Sequence, residues 1–180
     1  MSMRTALAGT VVALAALVVP FAAPATAGSG GQVAAARGAT GDFTRPAAAK
    51  AAGYGLLKDA HGIACISMKG MGGMGVHFAN GSLVADGKIQ VRHPEALVYR
   101  FTVNGHLRLA ALEYLVLRKD WRATHSTGRP SLFGHRFNLT PAGNRFGLPA
   151  YFSLHAWVWD HNPAGQFQMW NPRVHCPSGI

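Results

Sequence analysis

The sequence predicts an α+β fold: one domain dominated by a curved antiparallel sheet, barrel- or cup-like, with one N-terminal helix and one short late helix. Three observations predict it. The run EALVYRFTVNGHLRLAALEYLVL, residues 95–117, places two apolar stretches around Asn104-Gly105, the mark of a β-hairpin. The run YFSLHAWVW, residues 151–159, carries bulk at both odd and even positions, as a strand covered on both faces would. The segment PAAAKAA, residues 46–52, has the composition of a short helix, with Thr44 as its cap and Pro46 in its first turn.

The first residues read as a targeting segment. Arg4 precedes an apolar run from Thr5 to Ala23, and Ala25-Thr26-Ala27 forms an A-x-A cleavage site. Residues 1–27 are therefore expected to be a Sec-type signal peptide cut after Ala27, and the protein to be secreted. Residues 28–42, GSGGQVAAARGATGD, are small and Gly-rich and read as a flexible leader. Residues 43–180 read as a single globular domain, and the mature chain shows no apolar run long enough to span a membrane.

Removing Arg4 leaves 16 Lys+Arg against 7 Asp+Glu, a net charge of +9. Such a chain is drawn to anionic surfaces, so cell-envelope polymers are expected partners. The basic residues are mostly scattered singly, which does not fit a dedicated nucleic-acid groove. Cys65 and Cys176 are the only two cysteines. In an oxidising compartment such a pair reads as a disulfide.

Between these ends, IACISM and VHFAN read as strands on either side of the Gly-rich KGMGGMG. The hairpin loop is set by side-chain segregation. A three-residue loop, Val103-Asn104-Gly105, pairs Phe101 with Leu107, Tyr99 with Leu109 and Leu97 with Ala111. A two-residue loop would mix polar and apolar partners, because one residue of slip moves every side chain to the other face. The chosen register puts Glu113 on the face of Leu107, Leu109, Leu115 and Leu117. A carboxylate there must be paired, protonated or metal-bound. Residues 119–150 are irregular, with PSLFGHRF read as a helical turn that packs Leu132 and Phe133. After the strand 151–159, Asn162 and Pro163 are expected to open the late helix, which Asn171-Pro172 stops.

The candidate chemistry lies in His77, Glu113 and His155. Each sits near the middle of a strand, and His155 shares a face with Tyr151, Ser153, Trp157 and Trp159. Two imidazoles and a carboxylate suit zinc or non-haem iron with open positions. Without metal, Glu113 and His155 could act as a catalytic acid/base pair; a satisfied polar network is the alternative to both. Trp157, Trp159, Tyr99 and Phe101 are expected to line the pocket above this floor. Met68, Met71 and Met74 with His77 form a weaker, copper-like set. Gly70, Gly72 and Gly75 match G-x-G-x-x-G, but a strand follows where a dinucleotide site needs a helix. Nucleophilic catalysis has no signature.

The runs GGMGVHFAN, ALEYLVL, PSLFGHRF and LHAWVWDHNPAGQFQMWNPRVHC resemble a group of small exported bacterial proteins without an assigned activity. The resemblance covers residues 43–177; it implies one exported domain and no particular reaction. The function expected is binding of a metal ion or small ligand over His77, Glu113 and His155, extending to metal-assisted catalysis. The alternative is a non-catalytic basic module held at the cell envelope, with a structural polar core.

Overall fold

The computed structural model describes residues 28–177, so the expected signal peptide, residues 1–27, lies outside the described residues. The chain forms helices α1 (Ser29–Thr40), α2 (Pro46–Ala51), α3 (Gly81–Val84) and α4 (Arg118–Thr124). Its strands are β1 (Gly55–Leu56), β2 (Cys65–Met68), β3 (Gly72–Ala79), β4 (Ala96–Phe101) and β5 (Leu107–Leu117). β6 (Ser131–Leu132), β7 (His135–Arg136), β8 (Asn138–Thr140) and β9 (Tyr151–Ala156) follow. Seven strands make one antiparallel sheet in the order β1-β3-β4-β5-β9-β8, with β2 also paired to β3, and β6 and β7 form a separate small ribbon. This is the α+β class expected. The sheet does not close into a barrel, because short strands end it on both sides: β1 and β2 at one edge, the three-residue β8 at the other.

The β4–β5 hairpin has the three-residue loop inferred from segregation. Phe101 faces Leu107 and Tyr99 faces Leu109, but a bulge then places Val98 opposite Ala111 and Leu97 opposite Leu112. The extra residue, Ala110, reverses the faces beyond it. Glu113 therefore faces Ala96 across the ladder and shares its side with Leu115 and Leu117, away from Leu107 and Leu109.

Glu113 is nevertheless buried, at 9 % exposure, because both faces of the sheet are covered. One face holds the main core, including Phe78, Leu97, Tyr99, Leu112, Tyr114 and Phe152. The other is thinner and built around Val98, Ala110, Ala111, Trp157 and Val174. Burial of large apolar groups on the first face supplies most of the stabilisation, at roughly 25 cal/mol per Å². The second face can therefore hold polar groups.

The segment expected to be a flexible leader is instead helix α1. Its Ala36 and Thr40 are fully buried, and Gln32 accepts a hydrogen bond from the Phe133 amide at 2.8 Å. Trp159 explains the anchoring: its indole nitrogen donates to Thr40 Oγ1 at 3.0 Å, and Arg37 lies over its ring at 5.1 Å. Small residues close to glycines read as disorder, yet the QVAAAR core has good helix formers that here gain a tertiary partner. Helix α2 starts one residue later than expected, with Arg45 as its N-cap and Pro46 in its first turn.

The late helix is absent. Asn162 Oδ1 accepts from the Ala164 amide and its Nδ2 donates to the Trp170 carbonyl, so the segment folds as successive turns. These side-chain bonds offer the backbone an alternative to a helix. PSLFGHRF is likewise the β6–β7 ribbon rather than a helical turn, reversing at Phe133 (φ 54°) and Gly134 (φ 79°), although Leu132 and Phe133 are buried as expected.

Cys65 and Cys176 form the disulfide, 111 residues apart, and tie the C-terminal segment to β2. Closing a loop of that length contributes roughly 4–5 kcal/mol in the chain-entropy model. The same segment crosses the Gly-rich start of β3. A Cβ on Gly72 (φ +91°) would lie 2.1 Å from the Asn171 carbonyl oxygen. One on Gly75 (φ +96°) would meet the Tyr99 carbonyl oxygen at 2.5 Å. Close backbone approach, not phosphate binding, accounts for the glycines.

Candidate metal centre

His77, Glu113 and His155 come from the middles of β3, β5 and β9 and point to the same side of the sheet. β5 and β9 are neighbours, and Glu113 pairs directly with His155. β3 and β5 are separated by β4, where His77 faces Val98 and Glu113 faces Ala96. The small Ala96 side chain leaves room for His77 and Glu113 to meet diagonally over β4. His77 Nε2 lies 3.4 Å from Glu113 Oε2 and 3.1 Å from His155 Nε2, and His155 Nδ1 lies 3.6 Å from Glu113 Oε1.

Among the described residues this is the one group of three His, Cys, Asp or Glu side chains whose donor atoms all lie within 4.8 Å of one another. The separations suit a shared cation. Metal–nitrogen bonds of about 2.0–2.1 Å at angles between octahedral and tetrahedral put neighbouring donors about 2.9–3.4 Å apart. The separations from His77 Nε2 to His155 Nε2 and to Glu113 Oε2 fall in or at the edge of that range, while His155 meets Glu113 through Nδ1 at 3.6 Å, slightly beyond it.

The electrostatics follow from burial. His77 and His155 are 2 % and 3 % exposed. Burial lowers both imidazoles to about 4. For His77 the Glu113 carboxyl opposes that shift, the neighbouring His155 adds to it, and the Gly75 carbonyl beside the ring again opposes it. Burial likewise raises the Glu113 carboxyl, against the pull of His77 and the Ser153 hydroxyl. Near neutrality both rings are thus uncharged, the form in which imidazole binds a metal. His77 Nδ1 and His155 Nδ1 are buried without a well-formed hydrogen bond.

A cavity of about 300 Å³ opens from His77 and Glu113. Its walls are Met68, Met74, Phe146, Tyr151, Met169 and Trp170. The expected pocket residues lie elsewhere. Tyr99 and Phe101 belong to the main core on the opposite face, where the Tyr99 hydroxyl donates to the Phe43 carbonyl at 2.7 Å. Trp159 packs on α1. Trp157 is near the His155 ring, 6.2 Å between centroids, but its indole nitrogen donates to the Gln168 carbonyl and it does not line the cavity. The Ala110 bulge moves Tyr99 and Phe101 off the Glu113 side, and no periodicity in the sequence marks it. Of the methionines in the copper-like set, Met68 and Met74 line the cavity while Met71 is 47 % exposed outside it.

Two ionisable groups escaped the sequence reading. Asp59 is buried; its Oδ1 accepts from the His61 and Ile63 amides and its Oδ2 accepts from Arg145 Nη2 at 2.6 Å. The Arg145 guanidinium and these amides hold the Asp59 carboxyl below the usual aspartate range, against the opposing effect of burial. The pair anchors the loop that carries Phe146 over the cavity. Glu95, 2 % exposed, lies on the main-core side; its Oε2 accepts from the Leu115 amide at 2.9 Å. Burial raises it to about 8. Neither residue sits in a recognisable motif: Asp59 precedes a turn, and Glu95 follows a proline at the edge of a strand.

No protein-family model, curated protein or solved structure matches the chain. Among the described residues no helix is long and apolar enough to cross a membrane.

Proposed function

We propose that this chain is an exported protein that binds one zinc or iron(II) ion through His77, Glu113 and His155. The carrying observation is the convergence of three donors within 4.8 Å of one another, His77 Nε2 lying 3.1 Å from His155 Nε2 and 3.4 Å from Glu113 Oε2, with two imidazoles that burial keeps uncharged. A nitrogen-nitrogen-oxygen set favours these ions over copper(I), which prefers sulfur donors. Three protein ligands leave positions open, and the cavity adjoins them, as in a metal-assisted enzyme rather than a closed structural site. Glu113 and His155 then act as ligands. As a metal-free pair they would be poorly matched to neutral pH, since a ring at about 4 carries almost no proton to donate there.

The disulfide and the A-x-A site support export, and the scattered positive charge supports loose adhesion to anionic envelope polymers as a secondary property. Elemental analysis of untagged mature protein tests the reading. About one zinc or iron per chain is expected, lost in Glu113→Gln with the fold intact by circular dichroism. Metal-free protein that takes up no zinc by titration, yet binds cell walls salt-reversibly in wild type and variant alike, would leave the non-catalytic module as the account.

A further inference from the structure

We propose that the cavity beside the metal centre binds a small uncharged phenol. Its ring would lie among the methionine and aromatic walls, with its hydroxyl turned toward His77 and Glu113. The ring end rests on the cavity itself; only the hydroxyl end rests on the metal reading above.

Size comes first. About 300 Å³ is at the lower end of small-molecule sites and holds roughly ten waters, room for one substituted ring and not for a nucleotide or a peptide. Shape and chemistry of the walls come next. Met68, Met74 and Met169 present thioethers, which make favourable contacts with aromatic rings, and Phe146 and Trp170 add aromatic faces. The β2–β3 register slips at Met74, and that residue, 7 % exposed, is part of the wall.

Charge is set by which polar groups remain uncommitted. Arg145 lies at the cavity, but Asp59 takes it through two hydrogen bonds, at 2.6 and 3.2 Å, so it offers little to an anion. Asn144 donates to the Pro141 and Leu148 carbonyls and accepts from the Phe146 and Leu148 amides, which uses its side chain fully. The hydroxyls of Thr140, Tyr151 and Ser153 also line the cavity and are neutral. The end that can carry charge is at His77, Glu113 and the metal they would share. A cationic ligand would meet that metal. An apolar ring with one hydroxyl matches the inventory.

The test uses mature protein, zinc-loaded and metal-stripped, titrated by calorimetry with p-cresol, with 4-methylbenzoate and benzylamine as charged counterparts. Saturable p-cresol binding below about 1 mM, an affinity of roughly 4 kcal/mol or better, is expected for the zinc form. In the metal-stripped protein, where no zinc can ligate the carboxylate, both charged analogues should bind more weakly than p-cresol. Met74→Phe, which fills the cavity, and Phe146→Ala, which removes an aromatic wall, should each weaken p-cresol binding at least tenfold while zinc affinity stays unchanged. Two variants guard against a folding defect in one. Intact zinc binding with no saturable p-cresol binding, wild-type affinity in both variants, or tighter binding of a charged analogue to the metal-stripped protein would overturn the inference alone. Loss of the zinc reading with p-cresol binding retained and still sensitive to Met74→Phe would remove the hydroxyl contact to metal and support the ring site.

Discussion

Replacing Glu95 by Gln should make the protein more stable at neutral pH, although it removes a buried hydrogen-bonded carboxyl. In the folded chain this group titrates at about 8, against an ordinary 4.5, first because it is buried and then because Asp86 and Glu113 are nearby, while the Leu115 amide opposes the shift. A carboxyl whose folded value is raised holds an extra proton in the native state between the two values. Stability is therefore full below about 4.5 and falls as pH rises toward about 8. Each pH unit in that window is worth about 1.4 kcal/mol, so from about pH 5 to about pH 7 the loss is at most roughly 2.7 kcal/mol. Relaxation and water entry reduce this to about 1–2 kcal/mol. Gln resembles the protonated acid and can still accept from the Leu115 amide. Urea unfolding of both proteins should give stabilities within about 1 kcal/mol of each other at about pH 5. At about pH 7 Glu95→Gln should be ahead by about 1–2 kcal/mol. The buried histidines contribute an opposite slope that cancels in the comparison. A stability difference that does not change with pH would refute the reasoning.

Ala96→Leu should wedge between His77 and Glu113 over β4 and lower zinc affinity at least about tenfold in calorimetry, because overpacking of about 1–3 kcal/mol is relieved most easily by parting the two ligands. Gly75→Ala forces a Cβ toward the Tyr99 carbonyl oxygen at positive φ, and thermal unfolding should show a loss of about 2–4 kcal/mol. Replacing both Cys65 and Cys176 by Ser should cost about 2–5 kcal/mol and lower the urea midpoint, with fluorescence of the folded state unchanged.

The parts of the fold legible in the sequence were those with local signatures. Asn104-Gly105 marked the hairpin, and segregation chose its loop length correctly as far as Tyr99 and Leu109. Beyond that point the register rests on an unpaired alanine among alanines and leucines, where either face accepts either residue. Glu113 was expected to be buried on the leucine face and is buried on the other, because the sheet is covered on both sides. The trio itself was reachable from the cost of burying Glu113 and His155 in strand centres. The cavity was not, because Phe146, Met169 and Trp170 lie in turns that tertiary contacts position. Residues 28–42 illustrate the same limit from the other side: glycine and alanine look unstructured until Trp159 and Phe133 supply something to pack against.

The central claim is that His77, Glu113 and His155 hold one cation together. X-ray absorption at the zinc edge, on protein loaded with one equivalent, reads the ligands directly. The account predicts two imidazoles and a carboxylate oxygen at about 2.0–2.2 Å, with the imidazole scattering halved in His155→Ala. A water-like oxygen shell without imidazole scattering, or a spectrum that His155→Ala leaves unchanged, would contradict it.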